Sequence, residues 1–185
     1  MAAVLPAPGG IVAGVTIAIR SETVDDRDAV YRVHAAAFGR PAEADLVDRL
    51  RPAARPQVSL VAVEDGEVVG HVFFSPVTVE SSAAVFTAFG LAPLAVLPGF
   101  QRRGVGTALV REGLRACRRL GHHIVFVLGH PEYYPRFGFE TAAARALTSV
   151  YDVRPEAFMV AELEPGALGG REGTVKYRPE FEGID

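Results

Sequence analysis

Gln101-Arg102-Arg103-Gly104-Val105-Gly106-Thr107 is the stretch on which the reading of this chain turns. An apolar run, Leu91 to Val96, leads into it, and a helix-patterned segment, Ala108 to Leu120, leads out. A strand that enters a helix through glycines lines up backbone N–H groups at the helix N-terminus, here beside two arginines. That is a site for a phosphate-bearing ligand. It is not a P-loop, which needs Gly-Lys followed by Ser or Thr. It is not the dinucleotide fingerprint either. The third glycine position is Leu109, and the apolar stretch Ile124 to Leu128 occupies the region of the acidic ribose ligand.

The surroundings of the loop predict the fold. Gly121 ends the following helix, with Arg118 and Arg119 complementing its dipole. Ile124 to Leu128 then reads as a buried strand. Strand, helix and strand imply a parallel pair with a right-handed crossover, and ligands bind at the carboxyl end of such strands. Upstream, Ser59 to Val63, Val68 to Val79 and Phe86 to Val96 read as an antiparallel meander whose first turn is Asp65-Gly66. Proline cannot donate to a ladder, so Pro93 predicts broken pairing near Leu91 to Leu94. Thr16 to Arg20 reads as a first strand. A helix capped within Thr23 to Asp26 runs to Phe38, and a second covers Glu43 to Leu50 before Pro52 and Pro56.

Composition bounds the rest. The chain has 185 residues, enough for one domain over residues 16–185 preceded by a flexible Ala-, Pro- and Gly-rich tail over residues 1–15. Net charge is −3 with both signs interspersed, which gives no nucleic-acid footprint. No apolar run reaches membrane-spanning length, so no membrane partner is expected. The sole cysteine, Cys117, cannot form an intrachain disulfide, which suits a cytoplasmic location, and its helical setting predicts a buried, inert thiol.

The loop resembles the acetyl-CoA signature of GNAT-type N-acetyltransferases, Gln/Arg-x-x-Gly-x-Gly/Ala at the start of a helix. A second family signature, Tyr four residues before Gly-Phe, reads here Tyr134-Pro135-Arg136-Phe137-Gly138-Phe139. The two lie in the family's order with a strand between them. Leu94-Ala95-Val96-Leu97-Pro98, His130-Pro131-Glu132-Tyr133-Tyr134 and the segments Pro155 to Val160 and Gly173 to Tyr177 resemble the YhbS-like branch. The resemblance implies a GNAT fold of the α/β (α+β) class. Its mixed, mostly antiparallel central sheet carries a splayed parallel strand pair and flanking helices. It also implies acetyl-CoA as co-substrate, no metal, an amine acceptor on a small molecule or peptide, direct transfer without an acyl-enzyme, and a homodimer as one assembly open to the chain. Backbone groups over Leu94, Ala95 and Val96 would meet pantetheine. Gln101, Arg102, Arg103, Gly104, Val105, Gly106 and Thr107 would hold the pyrophosphate.

Within that resemblance Tyr134 takes the general-acid position, with adjacent Tyr133 as the alternative. Pro135 shortens the usual helix there to a turn. His71 is a candidate base because histidine titrates near neutrality. His130, Glu132 or a water chain could take that role instead, while His122 and His123 are expected to be solvated. Glu43, Asp45 and Asp48 are acidic residues that could attract a cationic amine, or form a solvated face. The segment Tyr151 to Tyr177 completes the sheet or covers the acceptor site. Two readings stand beside the transferase: a CoA-binding regulatory module without turnover, and an enzyme using another acyl-CoA.

Overall fold

The structure is a computed structural model describing residues 17–184. The tail expected over residues 1–15, and Thr16 of the first predicted strand, lie outside the described residues. One sheet organises the described chain. Strands β1 (Ala18–Ser21), β2 (Val58–Glu64), β3 (Glu67–Glu80) and β4 (Val85–Val96) form the antiparallel meander. Asp65 and Gly66 both take positive φ between β2 and β3, as a tight two-residue hairpin turn requires. Strand β5 (Ile124–Leu128) lies parallel to β4, as the crossover argument predicts. Beyond it come β8 (Phe158–Glu162) and β6 (Phe139–Thr141). A three-residue strand, β7 (Leu147–Ser149), pairs with β9 (Gly173–Lys176), and β9 pairs with the far half of β3 beyond the reach of β2. The C-terminal segment thus completes the sheet.

Helices α1 (Arg27–Phe38) and α2 (Ala42–Ala53) cover one face around Phe73 and Val61. Helix α2 runs three residues past the predicted stop, because Pro52 sits in its last turn. Helix α3 (Val105–Arg119) covers the other face over Val72, Phe74 and Leu60. Cys117 is buried in that interface, and burial raises its thiol well above the ordinary range.

Close approach of α3 to the sheet depends on Gly113. A Cβ there would stand 2.2 Å from Phe74 Cε2 and 2.4 Å from its Cζ. Alanine gains up to ~1 kcal/mol of helix propensity over glycine. Overpacking a well-filled core costs about 1–3 kcal/mol. Gly113→Ala is therefore expected to destabilise by about 1–2 kcal/mol, read as a lowered urea midpoint. An unchanged or raised midpoint would show that the helix can lift off the sheet freely.

One local expectation is corrected. His122 and His123 are half-buried rather than fully solvated: His122 stacks on Phe89 with ring centroids 3.9 Å apart, and His123 Nδ1 is sealed from solvent. The connection from α3 to β5 is short, which holds the His122 ring against the sheet.

Candidate functional site

Strand β4 leaves its partner part-way along. The parallel ladder with β5 has three rungs, Phe89 with Val125, Gly90 with Phe126 and Leu91 with Val127. On its other edge β4 pairs with β3 up to Val96, but the register slips between Val72 and Phe74, opposite Ala92 and Pro93. The break predicted from Pro93 is therefore present, and a V opens between β4 and β5 beyond Leu91. Leu94 and Val96 are half-buried along one arm of that V, and Ala95 is buried in register with His71.

At the mouth of the V the chain turns into α3. Arg102 and Gly104 take positive φ, +60° and +87°, to make the turn. The first intrahelical bond runs from Ala108 N to Gly104 O at 2.9 Å, so the N–H groups before Ala108 have no helical partner. Gln101 Nε2 donates to Val96 O at 3.1 Å and ties the loop to the end of β4. Arg103 pairs with the buried carboxylate of Glu64 at 2.7 Å and lies over the Phe100 ring. Arg102 is exposed on the loop. The seven loop residues thus stand together at one helix N-terminus, which attracts anions.

The two tyrosines separate. Tyr134 opens a single 3-10 turn, Tyr134–Phe137, the shortened element that Pro135 predicts. The Tyr134 ring packs so closely on Gly129, just past β5, that a Cβ there would meet Cε2 at 2.4 Å. Burial raises its phenol well above the usual range, with a smaller push from Tyr133. Tyr133 stands at the loop instead. Its hydroxyl is 2.9 Å from the position of a Cβ on Gly106 and interacts with Thr107, and Arg136 lies 4.7 Å over its ring. Burial raises its phenol too, with Thr107 opposing.

His71 lies on the α1 face of the sheet, fully buried, with both ring nitrogens engaged. Nε2 meets Ser59 Oγ at 2.8 Å, and Nδ1 meets His34 Nε2 at 2.8 Å. Ser59 Oγ is also 2.5 Å from Glu22 Oε2, and Arg51 Nη2 donates to Glu22 Oε1 at 2.6 Å. Burial pushes the Glu22 carboxyl up, but His71, 3.6 Å away, with Arg51 and Ser59 outweigh it and hold it at about 2. An ionised carboxylate only accepts, so Ser59 spends its one proton on Glu22. His71 must then donate from Nε2 and accept at Nδ1. His34 must donate from Nε2, which leaves its sealed Nδ1 as a bare lone pair. These tautomers are assigned from the network. Burial lowers the pKa of both imidazoles, His34 to about 2.

The other candidates scatter. His130 and Glu132 are exposed near Tyr133. Glu43 is buried against Arg40 at 2.6 Å, while Asp48, paired with Arg51, and Asp45, which accepts from Tyr31 at 3.0 Å, stay exposed on α2. Among the described residues no cluster of histidine, cysteine or carboxylates could hold a metal, and no helix is long and apolar enough to cross a membrane. Two surface cavities of about 570 and 440 Å³ contain none of the loop residues. The first opens between α1 and α2, so the V, and not cavity size, locates the site. Glu22, Ser59 and His34 were not singled out from the sequence. They come from separate elements, and no spacing signals their meeting.

A family model described as an acetyltransferase (GNAT) domain matches residues 18–142. The chain is 38% identical over 164 residues to the uncharacterised N-acetyltransferase YhbS of Escherichia coli K12, covering 88% of this chain and 97% of that one. It is 44% identical over 120 residues to the uncharacterised N-acetyltransferase YjhQ of the same organism, covering 64% and 66% respectively. The crystal structure of Escherichia coli YhbS in complex with CoA superposes with a TM-score of 0.84 at 35% identity, covering 93% and 95% of the two chains. A GNAT-family acetyltransferase of Brucella melitensis in complex with acetyl-CoA superposes with a TM-score of 0.73 at 35% identity, covering 90% and 98%.

Proposed function

The chain belongs to the GNAT family of N-acetyltransferases, and from that premise we propose that it transfers the acetyl group of acetyl-CoA directly to a primary amine of a small molecule or peptide. The observation that carries this reading is the V between β4 and β5, with unpartnered N–H groups of α3 at its mouth and Tyr134 at its side. The pyrophosphate sits on the N–H groups of residues 103–107, with Arg102 as the cation free to reach it once Arg103 is held by Glu64. The pantetheine arm runs inward along Val96 and Leu94. A structure of the YhbS relative holds CoA, and one of the Brucella relative holds acetyl-CoA, which supports this donor.

The amine attacks as the neutral base, since an ammonium has no lone pair. A bond forms from nitrogen to the acyl carbon and the C–S bond breaks. Nitrogen loses one proton and sulfur gains one. Tyr134 is the donor that meets the developing thiolate. Its raised pKa keeps the phenol protonated, so it stabilises sulfur by a hydrogen bond while the proton balance closes from nitrogen. Tyr133 is occupied at the phosphate loop. His71 has no free nitrogen with which to act as base, so the amine's proton leaves through water.

The test is a panel of amines and peptides with acetyl-CoA, reading free thiol. Wild type should turn over at least one acceptor. Tyr134→Phe should lose about 100-fold in kcat, the lower end of acid–base contributions, with acetyl-CoA affinity kept. Failure of the wild type to bind acetyl-CoA at sub-millimolar concentration would sink the reading. Binding without turnover on any acceptor would favour a CoA-binding module.

A further inference from the structure

Among the described residues four sealed side-chain atoms lack a hydrogen-bond partner: His34 Nδ1, Ser75 Oγ, His123 Nδ1 and the Tyr177 hydroxyl. Buried hydroxyls without partners are rare, because each forgoes the hydrogen bonds it had in water. Two of the four stand at one rung of the sheet. Ser75 is in register with Gly90 on β4, and the Tyr177 ring covers the same glycine, with Cε1 2.9 Å from where its Cβ would be. Gly90 pairs with Phe126, one rung before the point where β4 and β5 part.

Tyr177 follows β9 and so lies outside residues 18–142, the part that the family model matches. Its ring packs with the residues on the α1 and α2 side, tilted against Tyr151 and edge-on to Phe181. Tyr134 belongs to the cluster beneath α3. The two rings therefore lie on opposite faces of the sheet, near the point where β4 and β5 part. They are close enough to interact: burial first, then Tyr151, then Tyr134 raise the Tyr177 phenol far above its ordinary value. It stays a protonated donor at any working pH.

With the pyrophosphate at residues 103–107 and the arm running from Val96 to Leu94, the acyl end of the donor falls at the vertex of the V. A thioester carbonyl oxygen only accepts hydrogen bonds and gains charge as the amine attacks. We propose that the Tyr177 hydroxyl donates a hydrogen bond to that oxygen, on the sheet face opposite Tyr134. The proposal rests on acetyl-CoA being the donor. It makes Tyr177 a residue that distinguishes the acylated from the free coenzyme, supplied by the C-terminal segment.

The test compares acetyl-CoA with CoA by calorimetry on wild type and Tyr177→Phe, which keeps the ring on Gly90. Loss of one such hydrogen bond should weaken acetyl-CoA about tenfold and leave CoA unchanged. Bound acetyl-CoA labelled with carbon-13 at the carbonyl should show a higher C=O stretching frequency in Tyr177→Phe than in wild type. Should that variant fold poorly, Tyr177→His restores an N–H donor and should keep a preference for acetyl-CoA. Equal weakening of both ligands, or no change in either, overturns the role of Tyr177 and leaves the donor assignment intact. Wild type that binds neither ligand overturns the donor assignment and the role of Tyr177 with it.

Discussion

Lowering the pH from 7 to 5 is expected to remove about 2 kcal/mol of folding stability through buried His34, and His71 adds a loss of the same sign. Burial drives His34 down to about 2 and lowers His71 as well, against an ordinary value of 6.5. The sign follows from proton counts. Below pH 6.5 the unfolded chain binds protons on both rings and the folded chain does not, so stability falls as pH falls. His34 contributes about 1.4 kcal/mol per pH unit once well below its unfolded pKa. Other titratable or charged groups face these rings. Glu22 and Asp26 favour the charged form of His71, and Arg51 opposes it, but burial outweighs them. Glu22 adds its own loss only below its ordinary value of 4.5, down to about 2. Urea titrations at pH 7, 6 and 5 would read the slope, and His34→Leu should flatten it. Equal midpoints at pH 7 and 5 would contradict the neutral, sealed network.

Glu22→Ala is expected to cost about 3–5 kcal/mol, the range for removing one partner of a buried ion pair. The Glu22 and Arg51 side chains are 6% and 8% exposed, so water cannot replace the lost carboxylate. Arg51 keeps Asp48, which is half-exposed and a weaker partner. Ser59 loses its acceptor, and with it the reason for each tautomer along the chain to His34. Replacing both charges, Glu22→Leu with Arg51→Met, should recover much of that loss, because most of it comes from leaving a guanidinium buried without its counter-charge. The double-mutant cycle measures the coupling. A loss below about 1 kcal/mol for Glu22→Ala would mean that the pair is solvated in solution.

Much of the fold was legible because its signals are local. The Asp65-Gly66 turn, the glycines of the phosphate loop and the apolar run Ile124 to Leu128 each report on their own neighbourhood. Pro93 announced the slipped register because a missing N–H acts wherever it stands. The remainder depends on encounters between distant segments. Glu22 lies 37 residues from Ser59, and His34 lies 37 from His71, so nothing in the chain signals that these four side chains form one line. The three-residue strands β6 and β7 are too short to carry a period. Glu43 and Asp48 look alike as acidic residues of one helix, and only the docking of α2 buries Glu43 while leaving Asp48 exposed. At the site, the loop was readable as a phosphate cradle. The partition of Tyr133 and Tyr134, and the packing of Tyr177 from the C-terminal segment on Gly90, needed the sheet.

The parting of β4 from β5 after Leu91 has a consequence for the protein without its donor. It leaves two strand edges in the middle of the sheet, on the β5 side of residues 92–96 and the β4 side of Leu128. Natural sheets shield their edges with charge, twist or cover, because an open edge templates pairing with other chains. With acetyl-CoA as the proposed donor, the cover would be the coenzyme, lying between the strands as a removable rung. On that reading the empty protein is the form expected to aggregate, and added coenzyme should suppress it.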